Sequence, residues 1–600
     1  MIDLLNRLKY LLDKRDQKIL IGFLALLISS SFLEVLGIGV VIPFVALLND
    51  STLVNSNRYF GYIYNYAGFT SYVNFMIAIG CFMACLFILK NTFLIAVLSI
   101  QTKFMSAIHR KIGKRLFASY LFASYVSSFK RNTAQQLRNI TIISAIVHGI
   151  LTPAVVIVTE LLITLVILVV LLKASPGSAL LVASALLITG ATFYHLLKDK
   201  LKSLGLSLNT NSENMMKTLN QSLGSFKETK IYQCEQFFQE QFVRNLDGVV
   251  AALRLQSFWS QTPRLYIETV LVCLVSGIMI AMLVQGLTSK DILISLSLFA
   301  GSAIRLLPSL NRISSSLNTI RFYIPSLHEV FDDIKSSESY KEVSALSQKS
   351  IIPHFEKEIC LEKVCFSYSP ELPILKNVSL TIKKNEFIGF AGNSGAGKTT
   401  LVDVICGLIP LKSGRMMVDG VDVCDDLEGW RRCVSYIPQR IYLLDDTIRN
   451  NVGFGIESEN IDDERVWAAL RLAQIDKFVS SLSGGLYAGL GENGARISGG
   501  QRQRIGIARA LYHDPEVLVM DEATSALDNE TEKSFMEALS NLAGKLTIII
   551  IAHRLSTLKK CDVIYMVNEG EIVEAGNFEC LFPPVKARDK EPHKNGEQRL

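Results

Sequence analysis

Six charge-poor runs lie in the first half of the chain: Ile19–Leu48, Tyr72–Gln101, Ala145–Lys173, Ser178–Leu197, Tyr266–Leu287 and Ile292–Arg312. A helix that crosses a bilayer needs ~20 mainly apolar residues, and each run meets that length. A buried core helix would account for any one of them. Six together, with no comparable run after Arg312, require a membrane domain of six spanning helices. Only 19% of the residues are charged, against about 25% in soluble domains, and the deficit sits in these runs.

The distribution of charge orients the spans. Arg7, Lys9, Lys14 and Arg15 precede the first, Lys103, Arg110, Lys111, Lys114 and Arg115 follow the second, and Lys198, Lys200 and Lys202 follow the fourth. The alternate connections hold little beyond Arg58, Lys173 and Lys290. The positive-inside rule then puts both termini in the cytoplasm. A net charge of +6 is too small to suggest a nucleic acid partner. Eleven cysteines without a CxxC pair read as reduced packing residues. "MIDLLNRLKYLLDKRDQK" reads as an amphipathic basic segment of interfacial type and not as a cleavable signal.

The pattern changes after the last span. Residues 1–334 form the membrane domain with long cytoplasmic extensions, and the Ser-rich 335–352 reads as a linker. From 353 to 582 strand and helix signals alternate, as in an α/β domain, and 583–600 is charged, aperiodic and expected to be disordered. Within the α/β part, "FAGNSGAGKTT" fits GxxxxGK[ST] between a buried-strand run and a helical one. Gly392, Asn393, Ser394, Gly395, Ala396 and Gly397 would wrap phosphates with backbone N–H groups. Lys398 would reach the β- and γ-phosphates, and Thr399, followed by Thr400, would offer a hydroxyl to Mg²⁺. That motif by itself says only that a nucleotide binds.

"ISGGQRQRIGIARAL" and "VLVMDEATSALD" narrow the reading. Together with the phosphate loop they resemble the ATP-binding cassette (ABC) family over roughly residues 355–580, and six spans followed by one cassette resemble an exporter-type half-transporter. The resemblance implies an α-helical membrane domain followed by an α/β nucleotide-binding domain of P-loop type. It also implies a signature loop at Ile497–Gln501, with Ser498, Gly499, Gly500 and Gln501 facing the nucleotide of a second copy, and hence a homodimer. Asp521 would sit beside Mg²⁺, Glu522 would act as general base on the attacking water, Gln439 would sense the γ-phosphate and the metal, and His553 would stabilise transition-state charge. Tyr368 would stack on adenine, and Asp528 would communicate across the dimer. The connections 102–144 and 198–263 fit cytosolic helix extensions, with "ASYVSSFKRN" and "FKETKIYQCEQFF" as contacts to the ATPase domain.

Between the first two spans, Phe60, Ile63, Tyr64 and Ala67 fall at helical spacing and suggest a short external helix. This segment, "EVLGIGVVIPFVALLND", "PRLYIE" and "IRLLPSLNRI" resemble the PglK-type flippases of lipid-linked oligosaccharides, in the bacterial inner membrane. Four cations then acquire a place. At a rise of 1.5 Å per residue, Arg305 lies ~20 Å and Arg312 ~30 Å down the sixth span, with Lys90 and Arg264 at about 25 Å. Arginine forks suit phosphate oxygens, so these four are candidate ligands of a pyrophosphate-linked lipid glycan. Glu34, Glu160 and Glu268 are the alternative partners for the same cations. Export of another amphiphile (a lipid A precursor, a peptide or a drug) is the alternative function, and an ATP-gated channel or regulator the third.

Overall fold

A computed structural model describes residues 2–49, 58–66, 68–69, 71–129, 132–174, 176–285, 289–344, 354–369, 372–521, 532, 536, 537, 539, 544–552 and 554–582. The chain divides into two compact units: residues 1–123 with 130–341, and residues 124–129 with 342–600.

The first unit is helical: α1 (Ile2–Leu11), α2 (Lys14–Asn49), α3 (Arg58–Tyr66), α4 (Tyr72–Leu121), α5 (Tyr125–Phe129, which belongs to the second unit), α6 (Thr133–Ile146), α7 (Thr152–Ala174), α8 (Pro176–Gly224), α9 (Phe226–Ile231), α10 (Glu235–Val284) and α11 (Ser289–Ser344). The six apolar runs fall on α2, α4, α6–α7, α8, α10 and α11. Four helical stretches among the described residues are long and apolar enough to cross a membrane: Lys14–Glu34, Tyr72–Leu121, Thr133–Val169 and Glu235–Val284. At 1.5 Å per residue, the 50 residues of α4 or α10 reach about 75 Å, far beyond a bilayer core, so polar extensions continue each span as single helices. Between α6 and α7 the chain makes a π-helical turn, Val147–Leu151, just before Pro153. There Tyr323 of α11 lies against Gly149, where an added Cβ would fall 2.2 Å from the ring.

A core of Phe23, Leu27, Phe104, Ile108, Leu116, Ile143, Ile146, Ile150, Leu327 and Val330 joins α2, α4, α6 and α11. A polar network locks α4, α6, α8 and α11. Buried Arg138 pairs with Glu329 and donates to the Asn209 carbonyl, while Asn139 and Tyr120 both donate to Asp333. The N-terminal segment differs from a free interfacial helix. Leu11 and Leu12 are buried in the core, Arg7 pairs with Asp332 and lies over Phe331, and Lys111 binds Asp13 and Asp16. Leu8, Leu11 and Leu12 are taken up by protein, because helix α11 extends far enough to meet this segment.

The expected short helix between the first two spans is present as α3. Tyr64 packs edge-on to Phe75 at 5.1 Å; the side chains of Phe60 and Ile63, and Ala67, lie outside the described residues. The expected linker is corrected in part, since α11 runs unbroken to Ser344. "KSSESYKEVS" carries Lys and Glu at helical spacings, and the preceding turns supply the nucleus, so polarity alone does not end the helix. Residues 345–353 and the expected tail 583–600 lie outside the described residues.

The second unit carries two sheets. Strands β1 (Glu358–Ser369), β2 (Leu372–Lys383), β4 (Ser413–Val418) and β5 (Val421–Asp422) form an antiparallel sheet in the order β2-β1-β4-β5. The second sheet runs β10-β9-β3-β8-β7-β6, with β3 (Phe387–Ala391), β6 (Val434–Ile437), β7 (Val517–Asp521), β8 (Thr547–Ile551) and β9 (Val563–Asn568) parallel and β10 (Glu571–Gly576) antiparallel at the edge. Every residue of "FIGFA", "VLVMD" and "TIIII" is buried, as a sheet covered on both faces demands. Alternate residues serve two cores. Phe387, Leu518, Met520 and Ile548 pack with Ile505 and Ile507, whereas Ile388, Phe390, Val517, Val519 and Ile549 pack with Leu401, Val402 and Trp430.

Candidate functional site

The phosphate loop leaves β3 and opens α12 (Lys398–Ile405), whose first backbone N–H groups have no intrahelical partner. Three glycines shape it. Gly392, Gly395 and Gly397 hold φ of 142°, 81° and 99°, and a Cβ on Gly392 would fall 2.0 Å from the Val567 carbonyl oxygen. The loop is braced from the β9–β10 turn, where Gly570 N–H donates to Ala396 O at 3.0 Å. Asn393, Ser394 and Gly395 stay exposed at its crest. Lys398 is buried, and its Nζ donates to the Gly392 and Asn393 carbonyls at 2.9 and 2.8 Å. The ammonium is thus held inside the loop's curve. Thr399 is exposed and Thr400 buried.

Because β3, β8, β7 and β6 are parallel, the residues just past their C-terminal ends share one edge of the sheet. The phosphate loop succeeds β3, Asp521 ends β7, and Gln439 lies in the exposed bend after β6. Glu522 and Asp528 come after β7 and His553 after β8, but all three lie outside the described residues. Buried Asp521 accepts a hydrogen bond from the Tyr436 hydroxyl at 3.4 Å. Burial, then the charges of Asp521 and Asp403, push that phenol up, so it stays protonated and remains a donor.

Asp403 and Tyr436 escaped the sequence reading. The one signal was a carboxylate inside the apolar run "TTLVDVICG" of α12. Burial and the Asp521 charge push the Asp403 carboxyl up to about 6. In the unfolded chain an aspartate titrates near ~3.9. The fold therefore retains this proton between about 4 and 6 and loses stability as pH rises through that window. Asp403→Asn should raise the melting temperature at pH 7.5 and give no gain at pH 4. The full shift corresponds to about 3 kcal/mol, which solvent screening reduces to about 1–2 kcal/mol. Equal melting of variant and wild type at pH 7.5 would show that neither burial nor the Asp521 charge raises the Asp403 carboxyl.

Tyr368, near the end of β1, is half-buried and packs edge-on to Phe366 at 4.9 Å. Helix α5, from the expected contact "ASYVSSFKRN", lies in this unit. Val126 packs on the cassette core, and Phe129 meets Tyr368 edge-on at 6.3 Å. The other expected contact, "FKETKIYQCEQFF", lies in the first unit, with Phe226, Tyr232 and Phe237 exposed. Ser498 caps α13 (Gly499–Tyr512) by a capping box. Its Oγ accepts from Gln501 N–H at 3.3 Å, and Gln501 Oε1 accepts from Ser498 N–H at 2.9 Å. Ser498 and Gly499 are exposed and Gly500 half-buried, so this helix start presents an accessible positive end.

In the first unit, α11 is helical through Pro308, which leaves Arg305 and Arg312 on one face, two turns apart. The side chain of Arg305 lies outside the described residues. Arg312 Nη1 donates to Glu160 Oε1 of α7 at 2.6 Å. Lys90 is half-buried with Nζ 4.7 Å from the Phe87 ring centroid, and Arg264 is exposed.

Residues 375–525 match the family model of the ABC transporter. The chain is similar to the ATP-dependent lipid A-core flippase of Francisella novicida, 33% identical over 397 residues, 65% of this chain and 66% of that protein. It is 32% identical to the same-named protein of Methylobacillus flagellatus over 386 residues, 64% of each, and 36% identical to that of Syntrophus aciditrophicus over 285 residues, 47% of this chain and 46% of the relative. The matched stretches thus span a little under two thirds of the first relatives' length, 66% and 64%. Among solved structures, a bacterial Atm1-family ABC exporter with ATP bound superposes with a TM-score of 0.73 at 20% identity, over 95% of this chain and 96% of that one. At that identity the likeness speaks for the fold. With a cassette matched in sequence over residues 375–525 and an ABC exporter matched in fold from end to end, this chain carries an ABC transporter domain after a helical unit of exporter fold.

Proposed function

We propose that the chain hydrolyses ATP to move a phosphate-bearing, lipid-linked glycan from the inner to the outer leaflet of a bacterial inner membrane, working as a homodimer. One observation carries this reading. A phosphate loop, Asp521 and Gln439 share one sheet edge in a chain whose other unit has, among the described residues, four helices long and apolar enough to cross a membrane, with Arg305 and Arg312 on α11. The relatives' name, lipid A-core flippase, supports a lipid substrate and favours lipid A-core itself as the second reading.

The residues at the sheet edge suit a magnesium ion. Asp521 supplies a buried carboxylate, Thr399 an exposed hydroxyl and Gln439 an exposed amide, while burial and then the Asp521 charge push the neighbouring Asp403 carboxyl up. Thr399, Asp521 and Gln439 would hold the ion, which supplies charge neutralisation on the β- and γ-phosphates. Lys398 and the loop N–H groups orient the phosphates, Tyr368 takes the adenine, and Glu522 and His553 serve the attacking water and the developing charge. Ser498–Gln501 of one copy would close the other copy's site, which is why the exposed, capped start of α13 calls for a dimer.

The test is ATPase stimulation in proteoliposomes by purified lipids. A polyprenyl-pyrophosphate glycan should stimulate several-fold, and the same glycan on a polyprenol without phosphate should not. Stimulation by lipid A-core alone would replace the first reading by the second.

A further inference from the structure

Arg312 and Glu160 form an asymmetric ion pair between α11 and α7. The Arg312 side chain is 58% exposed, whereas that of Glu160 is 4% exposed. The faces that carry them are built for contact. Ile163 and Ile167 of α7 cluster with Leu306 of α11, and Ser309, one turn before Arg312, is fully buried. Glu160 thus projects into a closed helix–helix seam, and Arg312 reaches back to it from the open side. Oε1 of Glu160 takes the guanidinium, while Oε2 is buried without a hydrogen-bond partner among the described residues.

A carboxylate so buried depends on its counter-charge, and removing one member of such a pair leaves an uncompensated charge inside. Arg312 is therefore not free to leave Glu160 for a ligand. A guanidinium nevertheless has five N–H donors in a rigid fork, and one nitrogen suffices for Glu160. With Nη1 anchored, the remaining edge of the fork is fixed in direction and open on the exposed side.

We propose that Glu160 is a positioning residue that aims Arg312 at the phosphate of the transported headgroup and weakens its hold, so that the anion binds in one orientation and still leaves. This rests on the reading that the substrate bears phosphate. The carboxylate does both jobs through one guanidinium. Its oxygen fixes the fork, and its charge opposes a second anion on the same cation. The question whether Arg312 pairs with an acid or meets a phosphate then has a single answer, because the geometry allows both at once.

Glutamine separates the two roles, since its amide oxygen still accepts from Nη1 while the opposing charge is gone. In proteoliposomes of the full chain, E160Q should lower the half-saturating concentration of an undecaprenyl-pyrophosphate saccharide about fivefold, the size of one partly solvated charge–charge interaction. The double variant E160Q/R312Q, in which no buried charge is left unpaired, should show no such gain and should bind more weakly than wild type. An E160Q half-saturation equal to or higher than that of wild type overturns the proposal, as does the same gain in E160Q/R312Q. If undecaprenyl-pyrophosphate saccharide and its phosphate-free counterpart stimulate the wild type equally, the phosphate reading fails and this inference falls with it, a result distinct from a phosphate-selective wild type unaffected by E160Q.

Discussion

Replacing Glu522 by glutamine is expected to slow ATP hydrolysis ~10²–10⁴-fold while ATP binding persists. Glu522 directly follows Asp521, the last residue of β7, at the sheet edge that also carries the phosphate loop and Gln439. A carboxylate there can take a proton from water attacking the γ-phosphate. The amide keeps the size and loses the basicity. The elements proposed to hold the nucleotide are separate from it. Lys398 sits within the loop, the loop is braced by Gly570, and Tyr368 lies on another sheet. The variant should therefore trap nucleotide and accumulate as a closed dimer. Phosphate release and retention of labelled ATP, measured on the same preparation, check both halves. Turnover within threefold of wild type would assign the base elsewhere.

The second large effect lies in the membrane unit. Arg305→Ala should reduce lipid flipping in proteoliposomes to background, with expression and nucleotide binding as in wild type. Loss of a charge-assisted hydrogen bond costs about 1.5–3 kcal/mol, roughly tenfold or more in engagement of a phosphate. Arg305→Lys should recover only part of the rate, since a point charge replaces a bidentate fork. Arg312→Ala is a different experiment. It strips buried Glu160 of its counter-charge and should appear first as poor folding. Normal flipping by well-folded Arg305→Ala would remove the arginine face of α11 from the substrate path.

How much of this was legible beforehand depended on the range of the physics. The spans and the phosphate loop rest on local rules. A bilayer sets the length of an apolar run, and a loop that wraps phosphate needs glycine where φ is positive, as at Gly392, Gly395 and Gly397. The linker was misplaced because helix propagation from α11 carries through polar residues once the helix is nucleated. Asp403 and Tyr436 were missed because nothing local distinguishes them. They matter only because α12 and β6 bring them to Asp521, residues distant in the chain.

The sequence by itself determined the order of the two parts, the buried strands of the α/β part and the identity of the nucleotide-binding loop, since each follows from periodicity or from residue types at short, fixed spacing. Only the tertiary structure decided the partners of charge. It set Arg312 against Glu160 across 152 positions of chain, Arg138 against Glu329 across 191, and Asp403 beside Asp521. Glu34 and Glu268 were equally available on paper. A charge inside a helix bundle is governed by which side chain lies within a few ångströms in a medium that screens poorly. That distance is a property of packed helices and is written nowhere in the spacing of residues along the chain.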